Sequence, residues 1–403
     1  MKHIFLNGLG ASAGAGLTYL YNVVPGLASL PEVKTTLALQ PSLRSEFQHF
    51  ANVSVPEFGV PAGTARRFWF EQRELPKLIR RSRADLLISA GNFALRKSPV
   101  PQILLSGNSL YTSGDFYRDL RRRGEYGMWL DTKLRGVFAR KSVQWADCTV
   151  APSRAFADEL QRWTGSKVEA IYHGFNPDVF FCENSPLPDS VKLKLNATGD
   201  CIRLLFVSHY NYYRNFETIF QAVAVLKQRL PDRCFQLFLT CTLDDEQTPG
   251  AYKTRIANQC LRDLGINNEV IQLGAVPYSM LHKLYRSCDI YVTAAYAETF
   301  AHPLVEAMAC GLPIVASDIP VHKEICSDSA RFFQRFSPES LANEVLATLA
   351  NIPARSNSGN ADEPRPVQFS WDSHIKSLLD LASQLQADAN IQQPQRAVLA
   401  KSA

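Results

Sequence analysis

Short apolar runs of strand length alternate with segments of helical periodicity along most of the chain. The first apolar run covers residues 3–7 and the first helical segment covers residues 16–24, and further apolar runs lie at Asp85–Ser89 and Ile103–Ser106. A second alternation begins at Ile202. Because parallel strands need long crossover connections, usually helices, this order predicts an α/β protein with parallel sheets.

The length of the chain bears on its domain organisation. At 403 residues it exceeds one ordinary core and suits two domains of roughly 180 residues each. We predict an N-terminal domain over residues 1–182, a turn-rich linker over 183–200 and a second domain over 201–365. A helical segment over 366–388 and a flexible tail over 389–403 complete the chain.

Composition indicates a soluble enzyme. The chain is 46% hydrophobic and 20% charged, which is ordinary for a globular domain. No apolar run approaches the length of a membrane span, and the first ten residues are typical of a strand rather than of a signal peptide. The nine cysteines are scattered without a C-x-x-C pair, so we expect a cytoplasmic protein with neither disulfides nor zinc.

A basic segment, Tyr117–Lys141, holds eight Lys or Arg residues and only three acids. Four of its apolar residues recur at helical spacing: Leu130, Leu134, Val137 and Phe138. A helix whose apolar positions face the core is the first interpretation. A solvated face is one alternative, and a face that rests on an anionic membrane, with Met128 and Trp129 at its edge, is another. The mild pI of 8.7 and the absence of interleaved aromatic and basic residues predict no nucleic-acid partner.

The segment from Asp289 to Ser317 carries the most specific pattern in the chain. An apolar run over Asp289–Ala295 predicts a buried strand, and a loop with Glu298 follows it. Pro303 suits the first position of a helix, Gly311 suits its left-handed C-terminal cap, and Ile314–Ser317 predicts a second strand. The helix N-terminus would open at the carboxyl edge of a parallel sheet, where α/β proteins bind phosphate-containing ligands.

Two carboxylates belong to this unit, Glu298 before the helix and Glu306, which we place within about its first turn. Two negative charges beside a diphosphate would repel it, so they are better aimed at uncharged hydroxyl groups. A nucleotide-sugar offers a diphosphate flanked by a ribose and a hexose, and carboxylate–hydroxyl hydrogen bonds are charge-assisted. The alternative is that both acids only offset the helix macrodipole, an effect of about 0.3–1 kcal/mol.

These residues resemble the E-x7-E motif of retaining glycosyltransferases with the GT-B fold, in particular glycosyltransferase family 4. Further segments resemble that family in the same order along the chain: Asp147–Ser153, Ile171–Asp178, Leu204–Asn215 and Phe369–Asp372. The resemblance covers most of the chain. It implies two Rossmann-like domains with parallel sheets facing a central cleft, and a C-terminal helix that crosses back to the N-terminal domain.

The resemblance also implies roles for the residues of the motif. Glu306 would bind the ribose hydroxyls and Glu298 the transferred sugar, while the backbone N–H groups of Phe300 to His302 would reach the sugar and the diphosphate. The family's Glu-Gly-Phe-Gly stands here as Glu298, Thr299, Phe300 and Ala301, which narrows the space beside the sugar. His302 is either the helix N-cap or a diphosphate ligand. The full donor-binding set is Glu306, Gly14, Gly16, Thr299, Phe300, Ala301, His302 and Pro303.

Two cations follow the apolar strand that begins at Ile202. Arg214 stands where the family has lysine, and its guanidinium can hold two phosphate oxygens; a surface salt bridge is the alternative. His209 stands where arginine is usual and is only partly protonated near neutral pH, so a neutral structural role stays open. The chain has no Asp-x-Asp motif, which favours fixed cations over a metal ion. We therefore expect catalytic roles for Glu298, Arg214 and His209, with neither metal nor cofactor.

The first loop of the chain contains the pattern G-x-G-x-x-A from Gly8 to Ala13. A dinucleotide site would want an acid at the end of the second strand, but Lys34–Leu39 is followed by Gln40, so NAD is discounted. Gly14 and Gly16 are expected instead in a loop that faces the donor phosphates.

Two asparagines are weaker candidates for the lining of the cleft. Asn108 stands where many relatives have a histidine, and it can hydrogen-bond but cannot act as a base. Asn92 lies between Gly91 and Phe93, where an asparagine of a turn is the alternative.

The combined prediction is a metal-independent retaining glycosyltransferase that moves a hexose from GDP-mannose or a UDP-hexose to a glycan or lipid-linked glycan in surface polysaccharide synthesis. It would be cytoplasmic and could bind the inner face of the membrane through 117–141. Two alternatives remain, a non-catalytic partner subunit with the same fold and a sugar-nucleotide epimerase. The substitutions at 209, 299, 301 and 108 keep the first alternative open.

Overall fold

The computed structural model describes residues 2–11, 15–61, 63–246, 252–351 and 367–399, except for the side chains of residue 15 and of 389–399. Thirteen strands are described: β1 Lys2–Asn7, β2 Val33–Ala38, β3 Val53–Ser54, β4 Leu86–Ala90, β5 Gln102–Leu105, β6 Cys148–Ala151, β7 Glu169–Ala170, β8 Ile202–Phe206, β9 Phe235–Leu239, β10 Val270–Gln272, β11 Ile290–Thr293, β12 Ile314–Ser317 and β13 Ala330–Phe333. The α-helices are α1 Ala15–Ala28, α2 Arg44–Phe47, α3 Thr64–Ser82, α4 Gly114–Arg122, α5 Tyr126–Trp145, α6 Arg154–Thr164, α7 Pro177–Phe180, α8 Asp189–Asn196, α9 Phe216–Arg229, α10 Arg255–Leu264, α11 Leu281–Arg286, α12 His302–Ala309, α13 Pro320–Cys326, α14 Pro338–Asn351 and α15 Trp371–Leu399.

The chain forms two compact units, and the first comprises Met1–Thr112, Glu125–Gly174 and Phe369–Ala403. Its sheet has the strand order β3-β2-β1-β4-β5-β6-β7, and every strand pair in it is parallel. The chain moves outward from β1 in one direction and from β4 in the other. The loops after β1 and β4 therefore diverge at a topological switch point, where open α/β sheets form a crevice.

The C-terminal helix α15 belongs to the first unit and packs on α1. Ile375 and Leu378 join Leu20 and Val24 in one buried cluster with the sheet. The first residue of α15, Trp371, packs so closely on Gly174 that no side chain fits there. A Cβ on Gly174 would lie 2.1 Å from the backbone nitrogen of Trp371. The helix continues to Leu399, beyond the range 366–388 expected from the sequence.

Helix α5 corrects one sequence expectation. The apolar positions predicted to face the core are exposed, with 54% of Leu130, 55% of Leu134, 59% of Val137 and 42% of Phe138 accessible. The buried positions of α5 are mostly small or polar: Thr132, Gly136, Ala139, Ser142 and Val143. The core-facing interpretation is wrong because small side chains allow α5 to lie close to its neighbours on the opposite face. Periodicity alone predicts a two-sided helix without saying which side is covered.

The second unit comprises Ser113–Gly124 and Phe175–Gln368, so α4 belongs to it. Its sheet has the order β10-β9-β8-β11-β12-β13 and is also parallel throughout. Here the chain reverses between β8 and β11. The predicted strands at 289–295 and 314–317 correspond to β11 and β12, and Gly311 has the predicted left-handed conformation, with φ of 68°. The α/β fold with two parallel sheets is confirmed.

A disulfide joins Cys201 to Cys234, whose Cα atoms are 4.5 Å apart. The two residues precede β8 and β9, which pair in parallel with Ile202 opposite Phe235. The expectation of no disulfide is therefore wrong for this pair. The two cysteines are 33 positions apart in the sequence, so their proximity is created only by the pairing of the two strands.

Candidate donor-binding site

The switch point of the second unit holds the predicted catalytic pair. Arg214 ends a short 3-10 turn, Tyr212–Arg214, which follows β8 and leads into α9. Glu298 lies in the loop that follows β11. The two side chains form an ion pair and are largely buried, with 18% of Arg214 and 9% of Glu298 accessible. A cation and a carboxylate are thus held together at the carboxyl edge of the sheet, which is the edge where open α/β sheets bind ligands.

Asn215 explains how the turn carrying Arg214 is held. It adopts the left-handed conformation with φ of 55°, and its side-chain nitrogen donates to the carbonyl of Ala294 at 3.3 Å. Its side-chain oxygen accepts a hydrogen bond from Thr218 at 3.0 Å. The residue therefore ties the start of α9 to the end of β11. Asparagine tolerates this conformation better than most residues because its short side chain can hydrogen-bond locally.

Glu306 lies inside the second unit on α12. It is the fifth residue of a helix that begins at His302, so it occupies the second turn, and its predicted place in the first turn is wrong. The hydroxyl of Tyr285 donates to its Oε2 at 2.8 Å. Burial raises the pKa of Glu306 to about 7, and the tyrosine hydrogen bond opposes this shift. A carboxyl group in this state can exchange a tyrosine hydroxyl for the hydroxyl of a ligand.

The N-terminus of α12 is formed by Ala301, which is the N-cap and has a left-handed backbone with φ of 65°. His302 is therefore the first helical residue, so the alternative in which it is the N-cap is wrong. Burial lowers the pKa of His302 to about 4, so the ring is neutral near pH 7. It packs against Phe300 with ring centroids 4.8 Å apart. Pro303 takes the second helical position, where its missing N–H group is tolerated.

The remaining residues of this loop differ in exposure. Phe300 is buried at 1%, and Thr299 is half-buried. His209 is exposed in the loop after β8. In the described part of the chain its side chain forms no hydrogen bond or ion pair with Arg214 or Glu298. The structure thus brings Arg214 and Glu298 together, whereas the side chain of His209 is exposed and does not join them.

The glycine candidates of the first unit are only partly described. Gly14 lies outside the described residues, and Gly16 lies in the first turn of α1 rather than in the predicted loop. Two other glycines approach each other closely at this switch point: a Cβ on Gly10 would lie 3.3 Å from the Cα of Gly91. The pattern G-x-G after a strand is the sequence signal for this close approach of two backbones.

The two asparagine candidates have local partners. Asn92 has φ of 67°, and its side-chain oxygen accepts from the backbone N–H of Gly107 at 2.8 Å, which agrees with an asparagine of a turn. Asn108 caps a 3-10 turn by accepting from the N–H of Leu110 at 3.0 Å. Both side chains therefore stabilise loops of the first unit.

Sequence reasoning missed two further groups near these edges. Tyr285 stands in a helical segment, and nothing around it in the sequence indicates that its hydroxyl reaches Glu306. Glu71 on α3 is buried, accepts a hydrogen bond from Asn7 at 3.2 Å and pairs with Arg67 at 3.3 Å. Burial raises its pKa to about 7. A glutamate within a helix of high polarity carries no sequence signal of burial.

The described residues bear on metal binding and on membrane insertion. Among them, His, Cys, Asp and Glu side chains form no cluster of three that could hold a metal ion. No helix in the described ranges combines the length and the apolar character that a membrane span requires.

Comparison with known families covers both halves of the chain. Residues 18–179 match the model of Glycosyltransferase Family 4, and residues 191–363 match that of Glycosyl transferases group 1. An uncharacterized glycosyltransferase of Methanocaldococcus jannaschii is 26% identical over 220 residues, which is 53% of either chain. The chain thus spans about half the length of that curated relative.

Solved structures resemble the chain over nearly its whole length. Sucrose-phosphate synthase from Thermosynechococcus elongatus has a TM-score of 0.69 at 18% identity, covering 96% of this chain and all of that one. Anabaena HepE, solved in complex with UDP and glucose, has a TM-score of 0.63 at 17% identity, covering 95% and 99%. The solved structures thus share the fold of this chain, with its two parallel α/β sheets. Together the two family matches cover most of the chain, which therefore belongs to the glycosyltransferases that these models describe.

Proposed function

We propose that this protein transfers a hexose from a nucleotide-sugar to a glycan or lipid-linked glycan, with retention of the anomeric configuration and without a bound metal ion. The observation that carries the proposal is the Arg214–Glu298 pair at the switch point of the second unit, with Glu306 on the helix that follows. Glu298 and Glu306 have the spacing of the E-x7-E motif. The structural likeness to HepE with UDP and glucose supports a nucleotide-sugar donor, and the donor is GDP-mannose or a UDP-hexose.

In this reaction the bond between the sugar C1 and the phosphate oxygen breaks, and a bond from C1 to the acceptor hydroxyl oxygen forms. The departing diphosphate gains negative charge and takes up the proton of the acceptor. Arg214 stabilises that charge through its guanidinium, in a largely buried setting where the interaction is stronger than in water. Glu298 orients Arg214 and accepts a hydrogen bond from a sugar hydroxyl. Glu306 accepts hydrogen bonds from the ribose hydroxyls, either in place of the hydrogen bond from Tyr285 or in addition to it.

A ligand screen by thermal unfolding tests the donor. UDP, GDP, ADP and their sugar conjugates are added with EDTA present, and a ligand at about 100 times its Kd should stabilise the protein by about 2.7 kcal/mol. Stabilisation by one nucleotide in EDTA supports the metal-free site, whereas stabilisation only after Mg²⁺ is restored contradicts it. Product analysis by NMR then reports the anomeric configuration. No stabilisation and no transfer with any donor would favour a non-catalytic partner subunit.

The exposed face of α5 supports binding to an anionic membrane surface. Tyr126, Leu130, Leu134, Val137 and Phe138 are spaced three, four or one residue apart and line one side of the helix. The patch continues onto α3. The ring of Phe68 contacts that of Phe138 in a tilted arrangement, with centroids 5.2 Å apart, and its neighbour Trp69 is 58% exposed. Such a continuous apolar face on a monomer marks an interaction surface.

Charge favours a membrane as the occupant of this face. Lys133, Arg140 and Lys141 are exposed alongside it, whereas Asp131 is paired with Arg135 at 2.8 Å. Aromatic and aliphatic side chains flanked by cations suit the interfacial region of an anionic bilayer. A second copy of the chain would instead bring the same excess of positive charge to both sides of the interface. We therefore propose peripheral binding at the inner face of the membrane.

Co-sedimentation with lipid vesicles tests the membrane proposal. Binding to phosphatidylglycerol vesicles, weak binding to phosphatidylcholine vesicles and loss at high salt are expected. The double variant Leu130→Ser/Leu134→Ser should lose binding at least about tenfold, since each exposed leucine contributes apolar burial on insertion. The control Leu193→Ser changes another exposed leucine, on α8. Equal binding by both variants, or concentration-dependent dimerisation lost only in the α5 variant, would contradict the proposal.

A further inference from the structure

Arg123 follows α4 and contacts the structure around the Arg214–Glu298 pair. Its side chain is only 8% exposed although it carries a full charge. Nε donates to Oδ1 of Asp119 at 2.9 Å, and Nη1 donates to Oε1 of Glu217 at 2.9 Å. The guanidinium is thus held between two carboxylates, one on α4 and one on α9.

These contacts flank the turn that carries Arg214. Glu217 lies three residues after Arg214, in the first turn of α9. Tyr212 lies two residues before it, and the Cζ atom of Arg123 is 4.3 Å from the centre of the Tyr212 ring. A cation at this distance over an aromatic face is attracted by the ring. Arg123 therefore holds both ends of the short segment that presents Arg214.

A second path runs from Arg123 to the loop that carries Glu298. Oδ2 of Asp119 accepts a hydrogen bond from the hydroxyl of Tyr296 at 2.9 Å, and Tyr296 lies two residues before Glu298. The backbone N–H of Tyr296 also donates to the carbonyl of Tyr213 at 3.0 Å. The loops after β8 and β11 are thus joined directly to each other and jointly to Arg123.

We propose that Arg123 is a positioning residue for the donor site: it sets the relative position of Arg214 and Glu298 through Glu217, Tyr212 and the Asp119–Tyr296 link. This inference rests on the proposed function for the role of the pair. Its physical basis is that a planar guanidinium holds two separate carboxylates in fixed directions, whereas the ammonium group of a lysine pairs with them without fixing their geometry. Small displacements of a catalytic pair lower turnover strongly because reacting groups need near-attack geometry.

A second arginine supplies a matched control. Arg335 pairs with Asp115, also on α4, at 2.8 Å, and its side chain is 45% exposed. This pair holds α4 in the same unit, but its partners do not flank Arg214. Substitution of Arg335 therefore shows how much activity depends on an ion pair that only anchors α4.

The variants are Arg123→Gln, Arg123→Lys and Tyr296→Phe, each compared with Arg335→Gln. Arg123→Gln is expected to lower kcat by at least about tenfold with a smaller change in the donor KM, and Arg123→Lys should be intermediate. Tyr296→Phe removes one hydrogen bond without leaving a buried charge unpaired, so the protein stays folded, and kcat is expected to fall several-fold. In the double variant Arg123→Gln/Tyr296→Phe, the fall in kcat should be smaller than the product of the falls in the two single variants, because both act through Asp119.

Hydrogen exchange by mass spectrometry gives a readout that needs no activity. Residues 211–217 and 294–300 should exchange faster in Arg123→Gln and Tyr296→Phe than in Arg335→Gln, because the loops lose their shared anchor. Equal exchange and equal kcat in the Arg123 and Arg335 variants would overturn the inference. If the wild-type protein transfers no sugar from any donor, the proposed function fails; faster exchange at both loops then still supports the positioning role, and unchanged exchange overturns it.

Discussion

The hydroxyl of Tyr285 donates a hydrogen bond to Glu306 at 2.8 Å in the interior of the second unit. Both side chains are buried, and within the described residues no cation forms an ion pair with Glu306. Burial therefore raises the pKa of Glu306 to about 7 although the hydrogen bond opposes the shift. The second unit thus contains a buried carboxyl group whose charge changes near neutral pH.

This pKa predicts how stability depends on pH. The folded protein keeps the proton of Glu306 up to about pH 7, whereas the unfolded chain releases it near its ordinary value of 4.5. The free energy of unfolding should therefore fall as the pH rises between these values, by up to roughly 3 kcal/mol. Glu306→Gln should remove this part of the dependence in urea unfolding, with Glu74→Gln as control, because the side chain of Glu74 is 42% accessible. The prediction would be contradicted if the free energies of unfolding of the wild type and of Glu306→Gln differed by the same amount at every pH between 4.5 and about 7.

The Arg214–Glu298 pair predicts a loss of activity without loss of fold. Arg214→Ala and Glu298→Ala should each lower turnover by at least about tenfold, which corresponds to about 1.4 kcal/mol of transition-state stabilisation. Lys227→Ala, which breaks an ion pair with Glu269 on the surface of the same unit, is the control. Steady-state kinetics and thermal unfolding distinguish the outcomes. Wild-type kinetics in both site variants would remove the pair from the mechanism.

The backbone conformation of Ala301 predicts that a glycine at this position stabilises the protein. Its left-handed backbone, with φ of 65°, is unfavourable for a residue with a Cβ by about 1 kcal/mol. Ala301→Gly should therefore raise the free energy of unfolding by about that amount. The control Ala347→Gly, within α14, should lower it by a similar amount because glycine weakens a helix interior. A loss of stability in Ala301→Gly as large as in the control would contradict the prediction. Denaturant titration measures both.

The Cys201–Cys234 disulfide predicts sensitivity to reduction. It links two cysteines that are 33 positions apart in the sequence, and such a link stabilises a fold by about 2–4 kcal/mol. Cys201→Ser, or dithiothreitol added to the wild type, should lower the unfolding temperature, whereas Cys182→Ser changes an exposed free cysteine and serves as control. Intact-mass measurement shows directly whether the two hydrogens are missing. Identical unfolding with and without reductant would contradict the prediction.

Local signals explain what could be predicted about the site. Pro303 and Gly311 mark the two ends of α12, and each acts through its own backbone restriction. The order of strand, loop, helix and strand around Glu298 follows from apolar runs of the right length. Ala301 stands out in the sequence because the chain departs there from a glycine pattern, but its left-handed backbone is visible only in the structure.

Long-range contacts explain what could not be predicted. The exposed apolar face of α5 has the same periodicity as a buried one, so its pattern could not show which side the sheet and helices would cover. Arg123 stands in a run of three arginines, and nothing nearby in the sequence marks it as the one whose charge is buried. Its partner Glu217 is 94 residues away, and only the packing of α4 within the second unit joins them.

Local sequence was enough to predict the α/β alternation, the segment carrying Glu298 and Glu306, and the family that both resemble, because periodicity, helix ends and motif spacing are properties of neighbouring residues. Which side chains meet is a property of the folded chain: Arg214 with Glu298, Tyr285 with Glu306, Cys201 with Cys234. These pairs depend on the order and register of parallel strands. Strand order is set by the packing of whole helices against the sheet, so no local stretch of sequence contains it.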